Sequence, residues 1–193
     1  MKPYTLLLLL CSCLFACSKP QYPIVEIETA LGSIELEIYE NEAPVTAKHF
    51  LANVDQNIFA KACFYRVVHL DNQEGRDIKI EVIQGGLFHD SIVDHLPTIQ
   101  HERTDQTGIL HKDGVISMAR NQPGSASTEF FICVGDQPSL DAGGLRNPDG
   151  EGFAAFGKVI RGMDVVRKIQ MQKEKDQMLL KRIPIRSIQR IKE

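Results

Sequence analysis

The chain has 193 residues, enough for one ordinary domain with a real core and too few for two typical ones. Hydrophobic residues make up 43% and charged residues 24%, close to the globular average, which excludes wholesale disorder. With 22 Lys+Arg against 25 Asp+Glu and no basic run, nucleic acid is not expected as a partner.

The amino terminus reads as an address. Lys2 supplies a small positive region, and Tyr4 to Ala16 then runs without a charge through five consecutive leucines, Leu6 to Leu10. A helical bilayer span needs ~20 apolar residues, so this stretch is too short to cross and fits the core of a signal peptide. It closes on Leu14-Phe15-Ala16-Cys17, followed by polar Ser18-Lys19-Pro20. That resembles a bacterial lipobox, although Phe15 is bulkier than the motif usually carries. An upstream match, Leu10-Cys11-Ser12-Cys13, would leave an unusually short apolar region. The expected organisation is a lipoprotein signal peptide over 1–16, a lipidated tether over 17–23 beginning at acylated Cys17, and one domain over 24–193. Plain secretion with a chance cysteine is the alternative. Lipidation attaches a protein to a membrane rather than threading it through. The location expected is therefore the cell envelope, lipid-anchored on the periplasmic face of a bacterial membrane, with the outer membrane favoured. An oxidising compartment would permit a Cys63–Cys133 disulfide. Both cysteines lie in apolar, strand-like runs, however, and two small buried thiols are the plainer reading.

In the folded part, Val25, Ile27, Ile34, Leu36 and Ile38 alternate with Glu26, Glu28, Glu35 and Glu37 on either side of Ala30-Leu31-Gly32. Period-2 patterning around a turn predicts an antiparallel hairpin with one wet face. Pro44 suits the first turn of a helix over roughly 44–55, with Val45, Phe50, Leu51 and Val54 on one face. Strands are expected at 63–68 and 78–84, the second stopped by Gly85-Gly86. Residues 87–113 are polar and His-rich and read as a long loop. Further strands are expected at 115–119, 128–134, 156–160 and 185–191, with a second helix starting over 163–169. About eight strands, mostly neighbours without intervening helices, argue against a doubly wound parallel sheet and for a closed barrel without edges.

Familiar catalytic signatures are missing: no Walker loop, G-x-G-x-x-G, G-x-S-x-G elbow or H-E-x-x-H occurs. None of the six histidines pair at i, i+4, so they read as surface groups rather than metal ligands. Asn147-Pro148-Asp149-Gly150-Glu151 reads as a polar turn, not a calcium loop.

Five blocks in register carry a family resemblance. They are Gly32-Ser33-Ile34 before Ala43-Pro44-Val45-Thr46; Phe64-Tyr65-Arg66-Val67-Val68; Val82-Ile83-Gln84-Gly85-Gly86; Val115 to Arg120 running on through Ser125 to Ile132; and Phe156-Gly157-Lys158-Val159-Ile160 before Gly162-Met163. From about residue 24 to 191 the chain resembles a cyclophilin-type peptidyl-prolyl cis-trans isomerase. The resemblance implies a mainly β fold, a closed eight-stranded antiparallel β-barrel capped by two α-helices. It implies acceleration of X-Pro isomerisation without cofactor or metal, and the leader adds the expectation that this serves protein folding outside the cytoplasm. Implied partners are proline-containing peptides and unfolded or folding proteins, bound by a monomer. A cyclophilin-shaped peptide-binding module or holdase with little catalysis is the competing function.

The resemblance also implies site roles. Arg66 stands at the position of the family's catalytic arginine, and Gln84 matches the glutamine that orders it. Val82, Phe131 and Leu140 match the apolar proline pocket, whereas Phe130, facing the other way along the strand, belongs to the core. Ala119 and Arg120 match the backbone strip that binds extended peptide. Tyr65 stands where many members have histidine, Glu81 where a pocket phenylalanine is usual, Glu129 where glutamine is usual, and Phe153 where a histidine or tyrosine contacts substrate. Ser139 replaces a tryptophan found in some members, implying weak cyclosporin binding. Glu81, Glu129 and Phe153 are thus expected at the substrate. A Glu81–Arg66 pair would either hold the guanidinium away from substrate or fix its plane, and the first of these is the main support for the holdase alternative. Asp71 to Asp77 form an added loop near the site.

Overall fold

Alternation builds the first hairpin. Val25 and Ile27 on β1 (Ile24–Thr29) and Ile34, Leu36 and Ile38 on β2 (Gly32–Ile38) are fully buried, while the glutamates between them lie on the wetter face. The computed structural model describes residues 22–191. The expected signal peptide 1–16, Cys17 and the tether up to residue 21 lie outside the described residues.

The first long helix, α1 (Pro44–Asp55), starts on Pro44, where a missing N–H costs nothing. Ala43 before it offers no capping side chain. Glu102 does that work from a distant loop: its carboxylate accepts the Val45 N–H at 3.1 Å and the Thr46 N–H at 2.7 Å. A carboxylate there also meets the positive end of the helix dipole. The buried face of α1 carries Phe50, Leu51 and Val54.

The remaining strands are β3 (Cys63–Val68), β4 (Val82–Gly86), β5 (Val115–Met118), β6 (Phe130–Cys133), β7 (Ala154–Arg161), β8 (Glu174–Lys175) and β9 (Met178–Arg190). Antiparallel pairing runs β1-β2-β7-β5-β6-β4-β3-β9, and β9 returns to β1. Eight strands therefore close into a barrel, and two-residue β8 hairpins onto the start of β9. Helix α4 (Met163–Gln170) packs near β2, β3 and β4, and α1 near β7 and β9. Phe50, Phe64, Phe130 and Phe156 fill the interior without exposure. Phe130 takes Phe50 and Phe64 edge-on, with centroids at 6.1 and 5.9 Å. Such pairs contribute roughly 0.5–1.5 kcal/mol each beyond area burial.

Several boundaries differ from the sequence reading, for identifiable reasons. Residues 78–81 are not strand. The Gln73 amide donates to the Ile80 carbonyl at 2.9 Å and accepts the Ile80 N–H at 3.2 Å, and Arg146 donates to the Ile78 carbonyl at 2.6 Å. Side chains thus satisfy backbone groups that a neighbouring strand would otherwise take. The last strand begins at Met178 rather than 185; Leu179 and Ile183 point inward, but Lys181 and Arg182 interrupt the apolar signal. Within 87–113 the chain forms two single-turn helices, α2 (Asp90–Val93) and α3 (Thr104–Thr107). Cys63 and Cys133 are both buried free thiols, without a disulfide.

Candidate active site

Residues that alternate along a barrel strand divide between inside and outside, and here the outside of β4 and β6 forms a second apolar cluster. Ile83 and Phe130 face the core, whereas Val82 and Phe131 join Val68, Ile80, Cys133 and Leu140, with Ala119 and Phe153 against them. This cluster floors an open cavity of about 440 Å³. Its rim is polar and includes Tyr65, Arg66, Gln84, Arg120 and Glu129.

A bulge on β3 aims the polar groups. Phe64 pairs with Gly85 and Arg66 with Gln84, leaving Tyr65 as the extra residue. Bulges re-aim side chains and recur beside active sites. Here the bulge lets consecutive Tyr65 and Arg66 both line the cavity. Arg66 Nη1 donates to Gln84 Oε1 at 2.8 Å, and Nε and Nη2 both donate to Gln177 Oε1, at 3.1 and 2.5 Å. Burial lowers the Arg66 pKa, but a guanidinium stays charged in this environment.

Gln84 is oriented in turn. Its Nε2 donates to Tyr65 Oη at 2.7 Å, and Tyr65 Oη donates to Glu129 Oε2 at 2.5 Å. Glu129 Oε1 accepts the Leu87 and Phe88 N–H groups at 2.7 and 3.3 Å. The relay of hydrogen bonds therefore has one polarity: the Glu129 carboxylate accepts the Tyr65 O–H, the Tyr65 oxygen accepts the Gln84 N–H, and the Gln84 amide oxygen accepts from Arg66. Gly86, at φ +147°, makes the room, because a Cβ there would collide with the Glu129 carboxylate. Burial raises the Tyr65 pKa far above its usual value, with the Glu129 charge adding to it. Burial likewise raises the Glu129 carboxyl above its usual 4.5, against the hydrogen bonds from Tyr65 and the two amides.

A pH dependence follows. With Oε1 engaged by two backbone donors, a proton added to Glu129 goes on Oε2 and points at Tyr65. The tyrosine then donates to Gln84 instead, the amide turns over, and its NH₂ meets Arg66. Activity should fall as pH drops through the raised Glu129 value, while stability moves oppositely. The folded state takes up this proton before the unfolded chain does, so over that window acidification favours folding from this residue. Glu129→Gln should impose the same reversal at neutral pH, costing about 10-fold in kcat/KM by misplacing Arg66, and should flatten the acid limb. Rate profiles from about pH 4 to 8 check this; an unchanged acid limb in Glu129→Gln would contradict it.

Phe131 is braced from behind by a residue that sequence reasoning placed at the surface. His111 is 1% exposed. Its ring stacks on Phe131 with centroids 5.9 Å apart and planes 16° apart. Nδ1 lies 2.7 Å from Asp141 Oδ1, and Nε2 lies 3.0 Å from Ser117 Oγ. Asp141, His111 and Ser117 line up as in a hydrolytic relay, yet Ser117 is fully buried and is not on the cavity wall, so it cannot attack a substrate. Nothing periodic links 111 to 141, which lie in two different loops, so no sequence pattern flags the pair.

Other expected residues fall as follows. Val82, Leu140, Phe153 and Ala119 line the cavity, and Ala119 donates its N–H to the Glu129 carbonyl at 2.8 Å. The Arg120 side chain is 1% exposed and turned to structure: it pairs with Asp149 at 2.8 Å, donates to the Gly152 carbonyl and lies 5.2 Å from the Phe153 ring centre. Arg120 holds the Asp149 carboxyl down at about 2 and so fixes the loop that presents Phe153. Glu81 is the correction. It is not on the wall and makes no ion pair with Arg66 among the described residues; Ile80, 6% exposed, takes the wall position two residues before Val82. Ser139 stands in a 3₁₀ turn beside Leu140, off the wall.

Comparison with known proteins places these features in a family. The profile described as "Cyclophilin type peptidyl-prolyl cis-trans isomerase/CLD" matches residues 24–190. A "Peptidyl-prolyl cis-trans isomerase" of Acinetobacter baylyi is 37% identical over 147 residues, covering 76% of this chain and 71% of that protein. "Peptidyl-prolyl cis-trans isomerase B" of Escherichia coli is 30% identical over 148 residues, covering 76% and 84%. Among solved structures, a Cryptosporidium parvum cyclophilin-type isomerase superposes with a TM-score of 0.70 at 20% identity, covering 89% of this chain and 99% of that one. That last likeness speaks to the fold.

Proposed function

The chain belongs to the cyclophilin-type peptidyl-prolyl cis-trans isomerases, and we propose that it works on X-Pro bonds of proteins folding outside the cytoplasm, tethered to an envelope membrane by acylated Cys17. The X-Pro bond interconverts over tens to hundreds of seconds unaided, because the amide nitrogen lone pair is conjugated with its carbonyl. Catalysis needs only that the bond be held twisted, so no nucleophile is called for.

One observation carries the assignment of roles: Arg66 sits at the edge of an apolar pocket with its guanidinium fixed in plane by two amide oxygens. The pocket formed by Ile80, Val82, Phe131, Leu140 and Phe153 suits a pyrrolidine ring. As the bond twists, the proline nitrogen becomes pyramidal and gains a lone pair that an Arg66 N–H meets. That hydrogen bond strengthens only on the way to the transition state, so it speeds the reaction rather than merely tightening binding. The Cryptosporidium parvum cyclophilin-type isomerase has also been crystallised in the presence of the dipeptide Ala-Pro, which agrees with a proline peptide as the ligand class here. A protease-coupled proline-isomerisation assay on residues 20–193 tests the reading, with acceleration expected and an uncatalysed rate contradicting it. The holdase alternative depends on Glu81 restraining Arg66, and Glu81 is off the cavity wall.

Location rests on the leader and Cys17. An acyl chain adds ~0.8 kcal/mol per buried CH₂, and two or more chains anchor stably. Cys17→Ser should release a soluble or unprocessed protein from the membrane fraction. Mass spectrometry of the wild type should show an acylated Cys17 at the amino terminus; an intact 1–16 segment or a free Cys17 thiol would contradict the anchor.

A further inference from the structure

Gln177 holds a backbone conformation that glycine would favour. The β8–β9 hairpin turns on Asp176 at φ 54° and Gln177 at φ 70°. In two-residue turns of this left-handed kind the second position is commonly glycine, after Asn or Asp. Asp176 fits that pattern and Gln177 does not. An observed backbone outlier beside a functional site licenses a hypothesis about what the side chain does there.

Every hydrogen-bonding group of Gln177 is engaged with the surroundings of Arg66. Its Oε1 accepts from Arg66 Nε at 3.1 Å and Nη2 at 2.5 Å. Its Nε2 donates to the Asn72 carbonyl at 3.0 Å. Its backbone N–H donates to Glu174 Oε2 at 2.6 Å, and its carbonyl accepts the Val67 N–H at 2.9 Å. The Asn72 contact fixes which end of the amide faces the arginine, because a carbonyl accepts only from the NH₂ end. Asn72 is held as well, donating to the Val67 carbonyl at 3.1 Å and accepting the His69 N–H at 3.0 Å. Segment 71–77, an addition in sequence, thus serves as the abutment for this contact. Gln84 takes Nη1 from the other side at 2.8 Å. A guanidinium has five N–H donors; Gln84 and Gln177 engage three, leaving one on each terminal nitrogen.

We propose that Gln177 is a positioning residue for the isomerase reaction, clamping the Nε edge of Arg66 so that its two uncommitted N–H groups point into the cavity. The proposal rests on the reading of Arg66 as the group that meets the proline nitrogen. Gln84 alone holds only one terminal nitrogen and leaves the plane free to rotate about that bond. Two acceptors on opposite edges fix the plane, which is what a directional donor requires.

The test is Gln177→Gly in the full chain, since glycine suits φ 70° and keeps the turn. The melting temperature should hold or rise, KM for a proline peptide should stay within about twofold, and kcat should fall about 10–100-fold. The Arg66 Nε–H signal in ¹⁵N NMR, shielded from solvent exchange in the wild type, should broaden or vanish. In an Arg66→Ala background, Gln177→Gly should change kcat no further, as expected when one residue acts through the other. Wild-type kcat in Gln177→Gly while Arg66→Ala is inactive overturns the positioning role and leaves the isomerase reading standing. Wild-type kcat in both variants overturns the reading itself. A persistent Nε–H signal alongside lost activity, or equal losses with and without Arg66, also overturns the clamp.

Discussion

Arg66→Ala is expected to lower kcat by about 10²–10³ while leaving affinity for a proline peptide nearly unchanged. One preorganised donor aimed at developing charge contributes about 3–4 kcal/mol to a transition state, which sets that range. The affinity is spared because the apolar wall, not the arginine, makes the ground-state contact. Arg66→Lys should not rescue. A lysine ammonium lacks the planar fork that reaches Gln84 on one edge and Gln177 on the other. The fold should survive, because Arg66 lies outside the barrel core. Steady-state kinetics with matched melting curves check both halves of this expectation.

Phe131→Ala should have the second large effect, and it combines two losses. The ring is 4% exposed, stacked on His111 at 5.9 Å and met edge-on by Phe153 at 5.2 Å. Truncating a buried phenylalanine costs about 3–5 kcal/mol in stability. It also removes the central apolar surface of the pocket, so KM should rise. The His111 ring, hydrogen-bonded to Asp141 and Ser117, would then face a void it cannot follow. Phe131→Leu retains much of the volume and serves as the milder companion, with a smaller stability loss and a raised KM. Unchanged peptide affinity in a folded Phe131→Ala chain would show that the pocket lies elsewhere.

What the sequence made legible depended on regular alternation. The hairpin of β1 and β2 follows from period-2 patterning, and Phe130 and Phe131 divide between core and pocket as adjacent strand residues must. Local pattern failed where backbone groups are satisfied by distant side chains. Gln73 replaces a strand neighbour at Ile80, and Glu102 caps α1 from 56 residues away. Neither contact leaves a trace in periodicity. Glu81 differs for a related reason: resemblance to the family points to it as a pocket position, but Val82 is on the wall, so Ile80 rather than Glu81 shares its face. Arg66, Gln84 and Phe131, which line the cavity, are pointed to by resemblance alone, since a lone arginine in a strand carries no signal of its own. Gln177 and His111 escaped because loops bring them to the site. For Gln177 a faint signal was present, a Gln following Asp where a tight hairpin favours Gly.

The most direct measurement is exchange spectroscopy by NMR on an Ala-Pro peptide, with wild type and folded Arg66→Ala at equal concentration. Wild type should produce strong cis–trans exchange peaks on a timescale far shorter than the tens to hundreds of seconds of the free bond. Arg66→Ala should lose those peaks while the peptide resonances still shift on binding. Undiminished exchange in the Arg66→Ala protein would contradict the account.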